Sequence, residues 1–425
     1  MRSKSEELML RIREYIESYF ERYSSTPTVR EIAGAMKIAV SSAHRYLVAM
    51  AEKDMVFYEN GTLSTPKIRR MNPAVSPAAI VGSIPCGWDA EALAACAKAG
   101  CGAVVTKSIT VKGAVNTTRH MISNGNMSLL NNEGGSDMPM TRWRDYEIKR
   151  AKDLGVKTLI ASVYGYGGLD ETLEVANMVQ DAGADMIELV NGYTEAADLV
   201  ELLAALKKEI KLPIITKVNG NWKDTETIAR ACDEAGADAI TAIDSIGPTY
   251  RVDITTGRPL IGGHGYGYMT GAPILPIALR YVHDIAAKTN KDLIGLGGVT
   301  NAEAAMEMLM AGATAVGVCT AAIVNGPGVF TQLTENLSKL MDKYGYPDIP
   351  SVSGLTLRNG TLEEKSPADF VFEADKCVHC NRCVTACAYR ARSFDEQGNM
   401  HVDANQCRVC GLCFGMCNKK AIYIK

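Results

Sequence analysis

A chain of 425 residues has room for two to four domains. At 47% apolar and 22% charged it can bury ordinary soluble cores. Its net charge of −3 excludes a polyanion-binding or membrane-surface role for the chain as a whole. It shows no secretory leader and no apolar run of spanning length, which predicts a cytoplasmic protein whose thirteen cysteines stay reduced.

The first elements are helical. Between Leu8 and Tyr23, Leu10, Ile12, Tyr15, Ile16 and Tyr19 recur at helical spacing. Thr28, with Glu31 three residues on, predicts a capping box before Val29 to Ala33. Ser41 or Ser42 opens a third helix, Ala43 to Lys53. Asn60-Gly61, between Val56-Phe57-Tyr58 and Thr62-Leu63, is a two-residue hairpin signal. Three helices and a hairpin predict a winged helix-turn-helix over residues 1–68. Residues 1–70 hold twelve Lys/Arg against nine Asp/Glu, net +3. The third helix would offer Ser41, Ser42, His44 and Arg45 to the major groove. This segment resembles the DNA-binding domain of the LexA repressor, through Pro27-Thr28-Val29-Arg30-Glu31-Ile32-Ala33 and Tyr46-Leu47-Val48-Ala49-Met50. DNA is therefore one partner to test. A winged helix used for protein binding or dimerisation is the alternative. Ser64 to Pro77, with three prolines, predicts a connector.

From Ala78 onward apolar strands alternate with amphipathic helices. A helix-stop signature recurs as Ala99-Gly100-Cys101, Ala182-Gly183-Ala184, Ala235-Gly236-Ala237 and Ala311-Gly312-Ala313, each followed by an apolar strand. Eight buried strands are predicted: Ala79–Ser83, Ala103–Ser108, Thr158–Val163, Met186–Val190, Ile214–Val218, Ala239–Asp244, Leu293–Gly297 and Ala315–Thr320. The connection from Ile109 to Lys157 reads as long and partly irregular. Eight such units predict a TIM (β/α)8 barrel over residues 78–345, with chemistry at the C-terminal strand ends. An open doubly wound sheet is the runner-up, and the strand count and lack of a G-x-G-x-x-G run argue against it. Lys107 ends strand two, Lys217 strand five, Asp244-Ser245 strand six, Gly297-Gly298 strand seven and Cys319-Thr320 strand eight. Glycines after strand seven with the end of strand eight predict a phosphate cradle. A strand-end lysine can face a cofactor or form a rim salt bridge; two beside a cradle favour the cofactor.

Residues 345–372 read as a linker. A third segment, 370–425, then carries eight of the thirteen cysteines. Cys377, Cys380, Cys383 and Cys387 repeat, thirty residues on, as Cys407, Cys410, Cys413 and Cys417. Each run reads C-x2-C-x2-C-x3-C, the spacing that wraps a [4Fe-4S] cube, with the fourth cysteine reaching the other cluster. Cys377, Cys380, Cys383 and Cys417 are therefore assigned to one cluster, and Cys407, Cys410, Cys413 and Cys387 to the other. The competing reading, zinc knuckles or disulfides, does not explain a doubled four-cysteine run. Short strand patterns follow each run, at Arg392-Ser393-Phe394 and Ala421-Ile422-Tyr423-Ile424, predicting a bacterial-type two-cluster ferredoxin fold. Ala388 and Asn418 stand where that run usually has proline. Cys86, Cys96, Cys101, Cys232 and Cys319 read as mostly buried small hydrophobes.

The barrel resembles the FMN barrel of class 1 dihydroorotate dehydrogenases and of dihydropyrimidine dehydrogenase. The matching runs are Val104-Val105-Thr106-Lys107-Ser108, Gly271-Ala272-Pro273-Ile274-Leu275-Pro276-Ile277-Ala278-Leu279, and Gly295-Leu296-Gly297-Gly298-Val299 with Ala302-Glu303-Ala304-Ala305. The resemblance implies FMN surrounded by Ser83, Lys107, Lys217, Gly271, Gly297, Gly298 and Thr320, with Asn131, Asp244, Ser245 and Cys319 in the same shell. Lys217 would face the N1/O2 edge of the flavin. The family's strand-four acid/base, Cys or Ser, has no counterpart in Glu188-Leu189-Val190-Asn191-Gly192-Tyr193-Thr194-Glu195. Its strand-six Asn is Asp244 here, and its Asn-x-x-x-Leu-Pro-Asn loop is half echoed by Asn126 to Asn132. Tyr193 and His264 are the proton-donor candidates, His264 with a surface-loop role as its alternative; Cys86 is weaker. The implied enzyme is an FMN- and iron–sulfur-dependent oxidoreductase acting on a CH–CH bond of a cyclic, pyrimidine-like substrate. No nicotinamide domain is apparent, so a separate ferredoxin or flavoprotein subunit is the expected electron partner. The resemblance also implies a homodimer. The rival is a redox- or metabolite-sensing, DNA-binding transcription regulator with a degenerate barrel.

Overall fold

The N-terminal helices take the form their caps and apolar spacing dictate. In a computed structural model, which describes residues 5–23, 26–53, 55–59, 62–65, 79–81, 87–191, 196–360 and 370–424, helices span Glu6–Tyr23, Val29–Met36 and Val40–Ala51. The Thr28 hydroxyl accepts from Glu31 N (3.3 Å) and the Glu31 carboxylate from Thr28 N (2.6 Å), closing the capping box. The third helix starts earlier than the serines suggest: Ala39 is its extended N-cap and makes no side-chain bond. Strands β1 (Phe57–Glu59) and β2 (Thr62–Ser64) pair antiparallel around residues 60–61, which lie outside the described residues. Met9, Ile12, Ile16, Ile32, Leu47 and Met50 form the core, joined by Val56 and by Leu63 from β2.

The chain divides into two compact units, Met1–Asn359 and Gly360–Lys425. In the first, the chain runs through β3 (Ala79–Val81), β4 (Ala103–Val105), a hairpin of β5 (Met121–Gly125) and β6 (Ser128–Asn131), then β7 (Leu159–Tyr164), β8 (Met186–Val190), β9 (Ile214–Val218) and β10 (Ala239–Ala242). A second excursion holds β11 (Ile246–Tyr250), β12 (Val252–Asp253), β13 (Arg258–Pro259) and β14 (Tyr266–Gly271), before β15 (Asp292–Leu296) and β16 (Ala315–Val318). Eight of these close into a parallel barrel in the order β10-β15-β16-β3-β4-β7-β8-β9, which rules out the open sheet. The four repeated glycines, Gly100, Gly183, Gly236 and Gly312, all have φ between +96° and +129°, a conformation that ends a helix without a Cβ penalty. Gly155 (φ +97°) does the same before β7.

Alternation along the strands stacks two layers inside the barrel. Val105, Ile160, Ile215 and Ile294 fill the lower layer, with Ala103, Met186, Ala239 and Ala315 beside them. Two residues on, Ser162, Glu188, Lys217 and Thr241 form a buried polar layer. Several strands stop short of their predicted ends. After β4, Thr106 N still bonds Ile160 O and Ile109 N bonds Ser162 O, but Lys107 N turns to Gly87 O (2.7 Å). The long connection after β4 is more regular than its sequence suggests: β5 and β6 join β14 and β11 in a four-stranded antiparallel sheet, ordered β11-β14-β6-β5.

The first part of the expected linker belongs to the barrel unit. Ile349 and Val352, in a short helix, are buried in the barrel's core, and Arg358 donates to Ser353 O and Ser351 O. In the second unit, β17 (Phe370–Phe372) pairs with β20 (Ile422–Ile424), and β18 (Arg392–Phe394) with β19 (Met400–Val402). The two halves repeat in backbone as in sequence. His379, Asn381 and Arg390 have positive φ, as do Val409, Gly411 and Lys420 thirty residues later.

Candidate active site and cluster-binding loops

The C-terminal strand ends and the antiparallel sheet bound one cavity, enclosing about 1110 Å³ of space that includes open solvent. Lys107, Asn131, Lys217, Asp244, Ser245, Gly271, Gly297, Gly298, Cys319 and Thr320 all line it. These are the predicted cofactor residues apart from Ser83, which lies outside the described residues, as do Cys86 and Tyr193. His264 is exposed, stacks on Tyr266 (centroids 5.7 Å apart) and is not among the residues lining the cavity.

Each lysine is buried against carboxylates. Lys217 Nζ lies 3.7 Å from Asp244 Oδ2 and 3.8 Å from Glu188 Oε2. Thr241 Oγ1 donates to the other Glu188 oxygen (2.9 Å), and Ser245 N donates to Asp244 Oδ1 (2.7 Å). Burial alone would lower the Lys217 pKa, but Asp244 and Glu188 outweigh it and hold the ammonium charged. Lys107 Nζ lies 2.9 Å from Glu133 Oε2. Burial pushes Lys107 down, opposed by Glu133. Cys319 lines the same cavity. Glu133, Glu188, Asn219, Thr270 and Tyr164 were not singled out from sequence. Glu188 had a signal, an acid inside the apolar run Met186 to Val190. Glu133 had none, because long-range contacts, among them the pairing of β6 with β14, carry its loop to the cavity.

Glycines shape the opposite wall. Gly271, Gly297 and Gly298 have φ of +87°, +118° and +83°. A Cβ on Gly298 would sit 2.6 Å from Leu275 N, and one on Gly271 1.9 Å from Met127 O. Thr320 Oγ1 donates to Thr270 Oγ1 (2.9 Å), joining the end of β16 to β14. The cavity is thus lined by side-chain-free glycines, buried cations and the apolar Val190, Ile243 and Leu296, a mixture that fits a phosphate-bearing, polar-edged aromatic cofactor.

In the second unit the thiols sort as the interleaved assignment requires. Cys377, Cys380, Cys383 and Cys417 line one cavity; Cys387, Cys407, Cys410 and Cys413 line another. None of the eight forms a disulfide. Among the described residues no three Cys, His, Asp or Glu side chains are placed to hold a single metal ion. Ala391 N donates to Cys387 Sγ (3.3 Å) and Ala421 N to Cys417 Sγ (3.2 Å), a matched pair. Of the scattered cysteines, Cys96, Cys101 and Cys232 are buried, and burial pushes the Cys232 thiol up to about 11. Cys319, half-buried, lines the barrel cavity instead.

A closed parallel barrel with a cofactor-shaped cavity, followed by paired four-cysteine cavities, defines an iron–sulfur barrel oxidoreductase. A family model described as dihydroorotate dehydrogenase matches residues 77–341, and one for a 4Fe-4S dicluster domain matches residues 376–421. The chain is 33% identical over 303 residues to dihydroorotate dehydrogenase B (NAD(+)), catalytic subunit, of Methanothermobacter thermautotrophicus, covering 68% of this chain and 95% of the relative. The protein of the same description from Pyrococcus abyssi is 30% identical over 305 residues, covering 68% and 97%. That from Streptococcus pneumoniae is 38% identical over 145 residues, covering 34% and 46%. The chain belongs to the dihydroorotate dehydrogenase family. It is an oxidoreductase of the FMN-binding kind that acts on a CH–CH bond, and its dicluster domain points to iron–sulfur clusters. Among the described residues, no helix is long and apolar enough to cross a membrane.

Proposed function

We propose that residues 78–345 bind FMN in the barrel cavity and act there on a CH–CH bond of a small cyclic, pyrimidine-like substrate. Electrons are exchanged with an outside carrier through two [4Fe-4S] clusters in residues 370–425. The observation that carries this reading is the convergence of ten predicted cofactor residues on one cavity. FMN, when bound, supplies a hydride site and the means to split an electron pair into single electrons.

The chain's own residues prepare that chemistry. Lys217, held charged by Glu188 and Asp244, would neutralise charge at the N1/O2 edge of the ring. The backbone at Gly297 and Gly298, with Thr320, would take the phosphate. Val190, Ile243 and Leu296 would exclude water from the ring face. Tyr193 and His264 stand as the proton-donor candidates: Tyr193 lies outside the described residues, and His264 is exposed and not among the residues lining the cavity. The regulator alternative has a degenerate barrel that binds a metabolite while the clusters report redox state; ten predicted cofactor residues lining one cavity favour the enzyme.

Cys377, Cys380, Cys383 and Cys417 hold one cluster in this reading, and Cys387, Cys407, Cys410 and Cys413 the other. The relatives' description as a catalytic subunit supports a separate electron-transfer partner, a ferredoxin or a flavoprotein subunit. Residues 1–68 are read as a winged helix that meets DNA through exposed Ser41, His44 and Arg45. His44 packs edge-on against Tyr58 of β1 (5.5 Å), tying that helix to the hairpin.

Anaerobically purified protein should release about one FMN and about eight irons per chain, the content of one flavin site and two four-iron clusters, and should oxidise or reduce a pyrimidine with a dye or ferredoxin. Full iron without flavin would overturn the enzymatic part. For residues 1–68, a mobility shift that weakens with salt is expected, and no retardation at low salt would overturn it.

A further inference from the structure

The charges facing the cavity are matched before a substrate arrives. Two cations line it, Lys107 and Lys217, and two carboxylates, Glu133 and Asp244; among the described residues no Arg or His does. Glu188 sits behind Lys217 as a third carboxylate. Lys107 and Glu133 form a pair almost sealed from water, with side chains 4% and 8% exposed. Charged or neutralised by proton transfer, that pair offers no net positive charge. His120 reaches Glu133 from the solvent side, Nε2 to Oε1 3.5 Å. Its Nδ1 sits 2.8 Å from Thr117 O and therefore donates there. Only a protonated His120 has a second N–H for Glu133.

Glu133 is fixed in place. Its loop is pinned to the end of the second barrel strand by Ser136 N donating to Ser108 O (2.8 Å), and a Cβ on Gly135 would sit 3.1 Å from that same oxygen. On the other side, Asn132 Nδ2 donates to Gly262 O (2.8 Å). These bonds hold the loop that carries the carboxylate beside Lys107.

Resting on the flavin-enzyme reading above, we propose that the cavity selects an uncharged ring over one carrying a carboxylate, and that Glu133 determines this specificity. A substrate carboxylate brought to this end of the cavity would lose its water, find Lys107 already paired, and face Glu133 at close range. A like charge at such a distance disfavours the ionised guest. An uncharged ring carbonyl or N–H has no such conflict and can share hydrogen bonds with either member of the pair. The relatives' printed substrate, dihydroorotate, bears a carboxylate, so the prediction separates this chain from what its relatives' names would suggest.

The test uses the full-length holoprotein under anaerobic conditions at pH 8, above the ordinary imidazole range. Flavin absorbance is titrated with uracil and with orotate, the same ring bearing a carboxylate, and turnover of the two dihydro forms is compared. Wild type should bind uracil about tenfold or more tighter than orotate. Glu133→Gln frees Lys107 and should gain about tenfold in orotate affinity, whereas Glu133→Asp keeps the wild-type order. Orotate binding at least as tight as uracil in wild type overturns the inference and leaves the flavin-enzyme reading intact. Unchanged preference in Glu133→Gln overturns the assignment to Glu133. Should that variant not fold, the wild-type comparison and Glu133→Asp still decide. A flavin that responds to neither ring overturns the pyrimidine reading and this inference together.

Discussion

Replacing Lys217 by Met removes the ammonium while keeping most of the side chain's bulk. Glu188, buried in the barrel's polar layer, is left facing Asp244, with the Thr241 hydroxyl as a remaining donor. Stranding a buried charge in this way costs about 3–5 kcal/mol. Proton uptake limits that cost. Neutralising a carboxyl of ordinary pKa costs about 1.4 kcal/mol for each pH unit above about 4.3, hence about 4.5 kcal/mol at pH 7.5 and about 1.7 at pH 5.5. The stranded carboxyl has a folded pKa above its unfolded value. Its contribution is therefore intact below the unfolded pKa and lost as pH rises through the folded one. Wild-type Lys217, with its pKa raised above 10.5, contributes fully across this window. The variant's deficit should thus widen by about 1–3 kcal/mol from pH 5.5 to 7.5, or about 2–12 °C in the barrel's thermal midpoint. Thermal unfolding of flavin-stripped, full-length protein followed by circular dichroism at the two pH values measures it, and a second change, Glu188→Gln, should recover most of the loss at pH 7.5. An equal deficit at both pH values would refute the buried-network argument.

Three further outcomes are expected. Iron content should fall by about half in Cys377→Ala, fall no further in Cys377→Ala/Cys417→Ala, and vanish in Cys377→Ala/Cys387→Ala; the opposite pattern would place each run on its own cluster. Gly298→Ala forces a Cβ to 2.6 Å from Leu275 N at φ +83°, costing about 1–3 kcal/mol of local strain, and extracted flavin per chain should drop while iron stays. Thr28→Ala loses both bonds of its hydroxyl, to Glu31 N and to the Glu31 carboxylate. It should destabilise the N-terminal segment by about 1 kcal/mol, read as faster hydrogen exchange over Val29–Met36, and unchanged exchange there would refute the cap's role.

The parts legible in sequence are those where one short stretch carries its own physics. The cysteine spacing is legible because a cube needs closely spaced thiolates, and the eight cysteines line two cavities, four in each. Four glycines after helices mark barrel units, because a left-handed residue must end each helix before the next strand. Strand-end lysines and glycines are legible because strands in a parallel barrel deliver their C-terminal residues to one face. The antiparallel sheet was not legible. Its strands β6 and β14 lie more than a hundred residues apart in sequence, and their patterns are short and broken by glycine and asparagine. That pairing, with the bonds from Ser136 N to Ser108 O and from Asn132 to Gly262 O, brings Glu133 to Lys107. The Lys217 carboxylates likewise come from two other strands, with Glu188 in the middle of an apolar run and Asp244 past the end of β10. Local spacing thus determined which residues reach the cavity. Long-range pairing decided which charges meet there, because a salt bridge depends on a few ångströms of separation that no single stretch of chain encodes.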